Sequence, residues 1–249
     1  MADPTSAASA VSTEWLTLPT ADGPMRVYAA RPAAPADRAV IVLQEAFGVN
    51  DHIQDIARRY AAQGFLAMAP DLFHRTGVVT LDYQRHAEAM PLIGAIGADA
   101  IVTDVGAVMD HLSTTEGVPA GRVAVNGFCF GGRAAFTTAT AMPGLAATVV
   151  FYGPGIAAGP HAVIARAESI DAPVLLHVGA EDPTIPAEQV KAIDSALAAA
   201  GVTFESHVYD NAGHAFACDA RPHMYHAQAA RLAWQRTHEF LARHLPANA

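Results

Sequence analysis

The stretch of sequence that decides the fold is VAVNGFCFGGR, residues 123–133. It begins with an apolar run typical of a buried strand, and the residues after it are compatible with a helix. Between the two, glycines stand two positions before and after Cys129, which is the cysteine form of the G-x-S-x-G turn. Such a turn is so sharp that larger side chains would collide. The pattern predicts that Cys129 lies above a sheet at a helix N-terminus, where a thiolate or an oxyanion is favoured; the alternative is a buried structural cysteine.

Apolar runs also occur on both sides of this turn, and helical patterns separate them. The runs are 39–43, 65–69, 148–151 and 174–178, with a more polar run at 205–209. Apolar stripes at helical spacing lie within 53–61, 98–112, 190–200 and 230–245. This alternation predicts an α/β fold with a mostly parallel central sheet and helices on both faces. Two strands near 14–18 and 25–30, joined by an Ala-Asp-Gly turn, add an antiparallel N-terminal hairpin.

Length and composition narrow the class of protein further. The 249 residues suffice for one domain, which we predict at 13–249 after a disordered lead-in at 1–12. Apolar residues make up 52% and charged residues 16%, which excludes a disordered or fibrous protein. The net charge of −9 argues against nucleic-acid binding, and no apolar run reaches the roughly 18 residues of a membrane span. Only two cysteines and no secretory signal pattern predict a cytoplasmic protein, with its oligomeric state open.

Two further loops carry residues expected to act with Cys129. Asp182 follows the apolar run that ends at 178, and His214 follows the run that ends at 209. Ligands of such sheets bind beyond the carboxyl ends of the strands. A nucleophile, an acid and a histidine also follow one another here in the chain order of α/β hydrolases. We therefore predict a triad in which His214 pairs with the thiolate and Asp182 orients the imidazole, while Glu181, the rival acid, faces away.

The loop at 44–50, QEAFGVN, follows the first predicted parallel strand and is expected to form part of an oxyanion hole. One N–H group would come from Ala46 and the other from Phe130, the residue after the nucleophile. A carboxylate beside such a site would repel the charge that the site should hold. Glu45 is therefore predicted either to face solvent or to act on the nucleophile.

Four segments of the chain, in order, resemble the dienelactone hydrolases, also called carboxymethylenebutenolidases. They are 44–50, 69–73, 127–132 and 212–216, and the resemblance extends from about residue 14 to residue 245. It implies an α/β-hydrolase fold with a Cys-Asp-His triad. It also implies that Glu45 contacts the resting thiol of Cys129 and helps to deprotonate it when substrate displaces the carboxylate.

The sequence departs from this family at the positions that bind the carboxylates of the substrate. Members that cleave lactones carry two arginines for the substrate carboxylates, and Arg85 is a candidate for the first, with a solvated helix charge as its other reading. Beyond the histidine, Cys218 stands where the second arginine is expected, and Arg221 follows one turn later as a substitute. The resemblance therefore implies the reaction class and leaves the dienelactone substrate open.

These features predict an enzyme that cleaves a small ester or lactone through an acyl intermediate on Cys129. No cofactor is expected, because the chain has neither a P-loop nor a G-x-G-x-x-G after a strand. No metal is expected either, since His223, His226 and Cys218 follow no standard zinc spacing. Two alternatives remain, a non-catalytic binding protein on the same scaffold and a thiol redox protein that uses Cys129 and Cys218 without a C-x-x-C motif.

Overall fold

The computed structural model describes residues 11–248, which form one eight-stranded sheet flanked by helices. The strands are β1 (Ser12–Thr20), β2 (Gly23–Arg31), β3 (Ala39–Leu43), β4 (Leu66–Pro70), β5 (Val123–Phe128), β6 (Ala147–Phe151), β7 (Val174–Gly179) and β8 (Phe204–Tyr209). Their order across the sheet is β1-β2-β4-β3-β5-β6-β7-β8. The hairpin β1–β2 and the pair β2–β4 are antiparallel, and the other neighbours are parallel. The predicted mostly parallel sheet with an antiparallel N-terminal hairpin is thus confirmed.

Helices cover both faces of the sheet, as the continuous apolar strands predict. They are α1 (Asp51–Ala62), α2 (His86–Ala95), α3 (Ala98–Thr114), α4 (Phe130–Ala139), α5 (Ala187–Ala199) and α6 (Ala227–His244). Successive residues of β3 point to opposite faces, so that Ile41 packs in the cluster with α3 and α4 and Val42 in the cluster with α1 and α6. The edge strand β8 is only half-buried, which explains its more polar sequence.

The N-terminal hairpin is longer than the sequence predicts. Its strands pair in unbroken register from Ser12 opposite Arg31 to Thr20 opposite Gly23. Backbone pairing continues past the apolar positions because it does not depend on side chains. The disordered lead-in predicted at 1–12 lies outside the described residues except at its end, where Ser12 already begins β1.

Helix α2 was not predicted from the sequence. It contains Pro91 and buries only Ala89, so it shows no apolar stripe. Among residues 11–248, no single helix is long and apolar enough to cross a membrane. One bent pair, Tyr83–Ala95 with Ala98–Thr114, meets that length and composition criterion when taken together.

The parallel strands bring the loops of interest to one edge of the sheet. Leu43 at the end of β3 pairs with Gly127 of β5, and Gly179 at the end of β7 pairs with Tyr209 of β8. The loops after these four strands therefore emerge on the same side. They carry the residues that the sequence analysis selected.

Candidate active site

Cys129 lies in a strained turn between β5 and α4. Its φ of +54° falls in the left-handed region, which non-glycine residues rarely adopt. The backbone is tightly packed around it: a Cβ at Gly127 would lie 1.8 Å from the Gly131 oxygen, and a Cβ at Gly131 would lie 2.2 Å from the Leu43 oxygen. Glycine is therefore required at both positions. The turn leaves the thiol partly exposed at the N-terminus of α4.

A chain of hydrogen bonds joins Cys129 to two other predicted residues. The Cys129 Sγ lies 3.0 Å from His214 Nε2, and His214 Nδ1 lies 2.7 Å from Asp182 Oδ2. The other carboxylate oxygen of Asp182 accepts hydrogen bonds from the Thr184 amide at 2.8 Å and the Thr184 hydroxyl at 2.6 Å. Asp182 is thus fixed on both sides, whereas its neighbour Glu181 is exposed.

The electrostatics of this group favour a charged imidazole. Burial opposes the charge on His214, but the adjacent Cys129 sulfur and the Asp182 carboxylate outweigh it and raise the pKa of His214 to about 10. Burial also opposes the charge on Asp182, and hydrogen bonds from His214 and Thr184 outweigh it, so that the pKa of Asp182 is lowered. An imidazolium at neutral pH can hold a thiolate beside it and later donate a proton.

The backbone N–H groups of Phe130 and Ala46 are the two that the sequence predicts for an oxyanion hole. Phe130 is the first residue of α4, and Ala46 lies in the loop after β3; both residues are buried. Within residues 11–248 neither N–H group has a hydrogen-bond acceptor. The positive end of the α4 dipole adds to the field that such donors provide.

Glu45 does not face solvent, so that reading of the sequence is wrong. Its side chain is buried, and neither carboxylate oxygen has a hydrogen-bond partner among residues 11–248. In this structure the sulfur of Cys129 forms its hydrogen bond with His214 and not with Glu45. The carboxylate instead lies near His52 and Cys218.

The two candidate arginines have different surroundings. Arg85 is exposed, and its Nε donates a hydrogen bond of 2.7 Å to Glu88 one helical turn away. Arg85 therefore has the surroundings of a solvated helix charge, the alternative to a substrate-binding role that the sequence analysis left open. Arg221 is half-buried, and its guanidinium lies 5.4 Å from the ring centre of Phe47 and 5.1 Å from that of Tyr83. Its Nε is buried and has no acceptor among the described residues. Arg221 is therefore the cation better suited to receive an anionic ligand.

Sequence reasoning missed two residues that shape this site. Thr184 supports Asp182, as described above, and no motif distinguishes it from an ordinary loop threonine. Tyr152 is buried with a φ of +38°, and its ring lies edge-on to His214 at 5.4 Å. It directly follows β6, so its place at a strand's carboxyl end was the available signal.

Other histidines are accounted for by the fold. His177 is buried in the core and bonds the hydroxyl groups of Tyr209 and Thr237 at 2.8 and 3.0 Å. The ring of His226 caps α6 by accepting a hydrogen bond from the Ala229 amide, and His223 is exposed. Both cysteines are free thiols.

Three features define an α/β hydrolase: the strand order of the sheet, the sharp turn at Cys129, and the chain order of Cys129, Asp182 and His214 on loops at one edge. Comparison with known proteins is more specific, because the model of the family described as "Dienelactone hydrolase family" matches residues 25–245. The chain belongs to the dienelactone hydrolase family. It is a hydrolase of the carboxymethylenebutenolidase type, the class that acts on small esters and lactones.

Individual relatives agree with this assignment. A Salmonella typhimurium protein named "Putative carboxymethylenebutenolidase" is 38% identical over 244 residues, which cover 94% of this chain and 88% of that protein. The crystal structure of "Putative Dienelactone Hydrolase" from Klebsiella pneumoniae superposes with a TM-score of 0.83 at 35% identity, covering 94% of this chain and 99% of that one. A dienelactone hydrolase-like promiscuous phosphotriesterase from metagenomic libraries has a TM-score of 0.81 at 25% identity, with the same coverage.

Proposed function

We propose that this hydrolase cleaves its ester or lactone through an acyl intermediate on Cys129, with His214 and Asp182 as its partners. The observation that carries the proposal is the pair of contacts at His214, 3.0 Å to the Cys129 sulfur and 2.7 Å to Asp182. The first is within the distance at which a base can exchange a proton with a nucleophile, and the second is within the distance of a hydrogen bond that orients the base. A binding protein would need no such arrangement.

The first half of the reaction acylates the enzyme. The Cys129 thiolate attacks the carbonyl carbon, and the new C–S bond forms as the carbonyl electrons move onto oxygen. The N–H groups of Ala46 and Phe130 hold this oxyanion. Its collapse breaks the C–O bond of the ester, and the His214 imidazolium gives its proton to the departing alkoxide. From a lactone, the alcohol stays attached to the acyl group.

The second half releases the acid. Neutral His214 takes a proton from water as the water oxygen attacks the thioester carbon, and the same two N–H groups hold the second oxyanion. The C–S bond then breaks and returns the thiolate beside the imidazolium. Asp182 keeps the imidazole in the orientation that both proton transfers require.

Glu45 and the arginines supply the parts of the proposal that concern activation and substrate. Where Cys129 is in its thiol form, Glu45 would accept the thiol proton when its carboxylate turns toward the sulfur, an orientation other than the one observed. Arg221 would pair with a substrate carboxylate, and Arg85 would do so only after leaving Glu88. Because Arg221 would then be the single cation that pairs with the substrate, we expect the enzyme to prefer neutral or mono-anionic esters and lactones over a dianion. We place the reaction in the cytoplasm, where two free thiols persist.

The test is to trap the acyl intermediate. An excess of an activated aryl ester mixed with the enzyme should give a burst of alcohol equal to the enzyme concentration. Intact-mass and peptide mass spectrometry at acid pH should then show one acyl group on Cys129. Acylation of Cys218, or steady turnover without any acylated cysteine, would contradict the proposal.

A further inference from the structure

A second cluster of reactive side chains lies behind the site just described. It consists of Glu45 from the loop after β3, His52 from the first turn of α1 and Cys218 from the loop after β8. One ligand atom from each, a carboxylate oxygen, an imidazole nitrogen and the sulfur, lies within 4.8 Å of the other two. The three residues are buried, with exposures of 1%, 5% and 0%.

The polar atoms of this cluster lack partners. Both oxygens of Glu45 and the Nε2 atom of His52 are buried without a hydrogen bond to any residue in 11–248. A buried carboxylate costs several kcal/mol unless something of opposite charge or a donor meets it. A positive group at this place would stabilise the cluster, and Arg221, although near enough to act on Cys218, forms no hydrogen bond to these atoms.

His52 has the support that metal-binding histidines have. Its Nδ1 atom lies 3.2 Å from Asp219 Oδ1, and a carboxylate can only accept, so Nδ1 carries the proton. The lone pair is thereby left on Nε2, which is buried and has no hydrogen-bond partner among residues 11–248. Asp219 is itself held by Arg59. A carboxylate that fixes the tautomer of a ligand histidine in this way is the usual outer shell of a zinc site.

We propose that Glu45, His52 and Cys218 bind a divalent transition-metal cation, zinc being the best match. Carboxylate oxygen, imidazole nitrogen and thiolate sulfur are the three ligand types of zinc, at about 2.0–2.3 Å, and three protein ligands leave the fourth position to water. A tetrahedral site needs ligand atoms about 3.5 Å apart, so the side chains would close by roughly 1 Å.

Charge and access fit such an ion. A carboxylate and a thiolate together neutralise a divalent cation, so that nearby Arg221 would face an uncharged group. A cleft of about 640 Å³, lined in part by Asn50, His52, Tyr83 and Ala220, reaches one of the three proposed ligands, His52.

The bound ion would act on the active site through its ligands. It would join the loop that carries Glu45 to the loop that carries His214, four positions before Cys218. It would also hold the Glu45 carboxylate away from Cys129, in the orientation that leaves the sulfur paired with His214, so that Glu45 would be able to accept a thiol proton only in the metal-free enzyme. The ion is thus a positioning device and takes no part in bond cleavage.

Cobalt binding to the full chain tests the site, because a thiolate ligand gives cobalt(II) an intense near-ultraviolet charge-transfer band. Cys129→Ser leaves Cys218 as the only cysteine, so a band in this variant can come from no other sulfur. After chelator treatment and reduction, we expect one cobalt per chain with this band, displaced by one equivalent of zinc. The double variant Cys129→Ser/Cys218→Ser should lose the band.

The ligand His52 and its partner Asp219 are tested in the Cys129→Ser background. His52→Gln should weaken zinc binding by at least about 100-fold, and Asp219→Asn by about 10- to 100-fold, with circular dichroism confirming the fold. A Cys129→Ser chain that takes up no metal overturns the proposal and indicates that Glu45 and His52 share a proton. Unchanged affinity in folded His52→Gln also overturns it. Because Cys129→Ser cannot form the proposed thioester, neither outcome depends on the proposed reaction.

Discussion

The two cysteines of this chain lie on loops at the same edge of the sheet, in opposite surroundings. Cys129 is partly exposed in a strained turn and bonded to an imidazole whose pKa is raised to about 10. Cys218 is fully buried among Glu45, His52 and Tyr83, and its own pKa is raised to about 12. The two sulfurs therefore share residue type and position in the sheet, and the neighbouring charge favours Cys129 as the proposed nucleophile.

The largest expected difference between the two is in turnover. Cys129→Ala should lower kcat/KM for an activated ester by a factor on the order of 10⁶, as loss of the nucleophile does in serine hydrolases. Cys218→Ala should lose far less, because its sulfur has no role in the proposed bond changes. Steady-state kinetics on purified, folded variants measures both. Similar losses from the two substitutions would instead favour the thiol redox alternative.

A second comparison concerns the adjacent acids Asp182 and Glu181. Asp182→Asn should lower kcat by about 10⁴, since the amide favours the wrong tautomer of the histidine. Glu181→Gln serves as the matched control and should remain close to the parent rate, because Glu181 is exposed. If kinetics showed Glu181→Gln to be the more damaging change, the acid would be misassigned.

The juxtaposition of Cys129, His214 and Asp182 could be predicted because each follows a recognisable strand and parallel strands end at one edge. The glycines at 127 and 131 identified the turn for a steric reason that the backbone distances bear out. The cluster of Glu45, His52 and Cys218 could not be predicted in this way. Its members come from a loop, a helix start and a distant loop, and only the packing of α1 against the sheet brings them together.

Alkylation should separate the two thiols by their ionisation. With iodoacetamide at pH 7 and a chelator present, Cys129 should react at least about 10³-fold faster than Cys218, because a thiol of pKa about 12 is scarcely ionised. The proposed ion pair between Cys129 and His214 predicts a rate at Cys129 that changes little between pH 7 and 9, because the raised pKa of His214, about 10, keeps the imidazolium charged over this range.

An unperturbed thiol would speed up roughly 25-fold over the same range as it ionises near pH 8.5. Peptide mass spectrometry at timed intervals gives both rates, and guanidinium-unfolded protein, in which the two sites become equivalent, is the control. A steep rise at Cys129 would show that no thiolate–imidazolium pair exists at neutral pH.

The smallest expected effect distinguishes the two arginines. Arg221→Ala should raise KM about 10-fold or more for an ester that carries one carboxylate, the cost of a lost charge-assisted hydrogen bond. A neutral ester of the same size should be affected little. Arg85→Ala should leave both KM values nearly unchanged, because Arg85 is exposed and engaged with Glu88. Added salt should reduce any contribution from Arg85 more than that from half-buried Arg221. The reverse ranking would mean that Arg85 leaves Glu88 when substrate binds and that Arg221 only supports the rings of Phe47 and Tyr83.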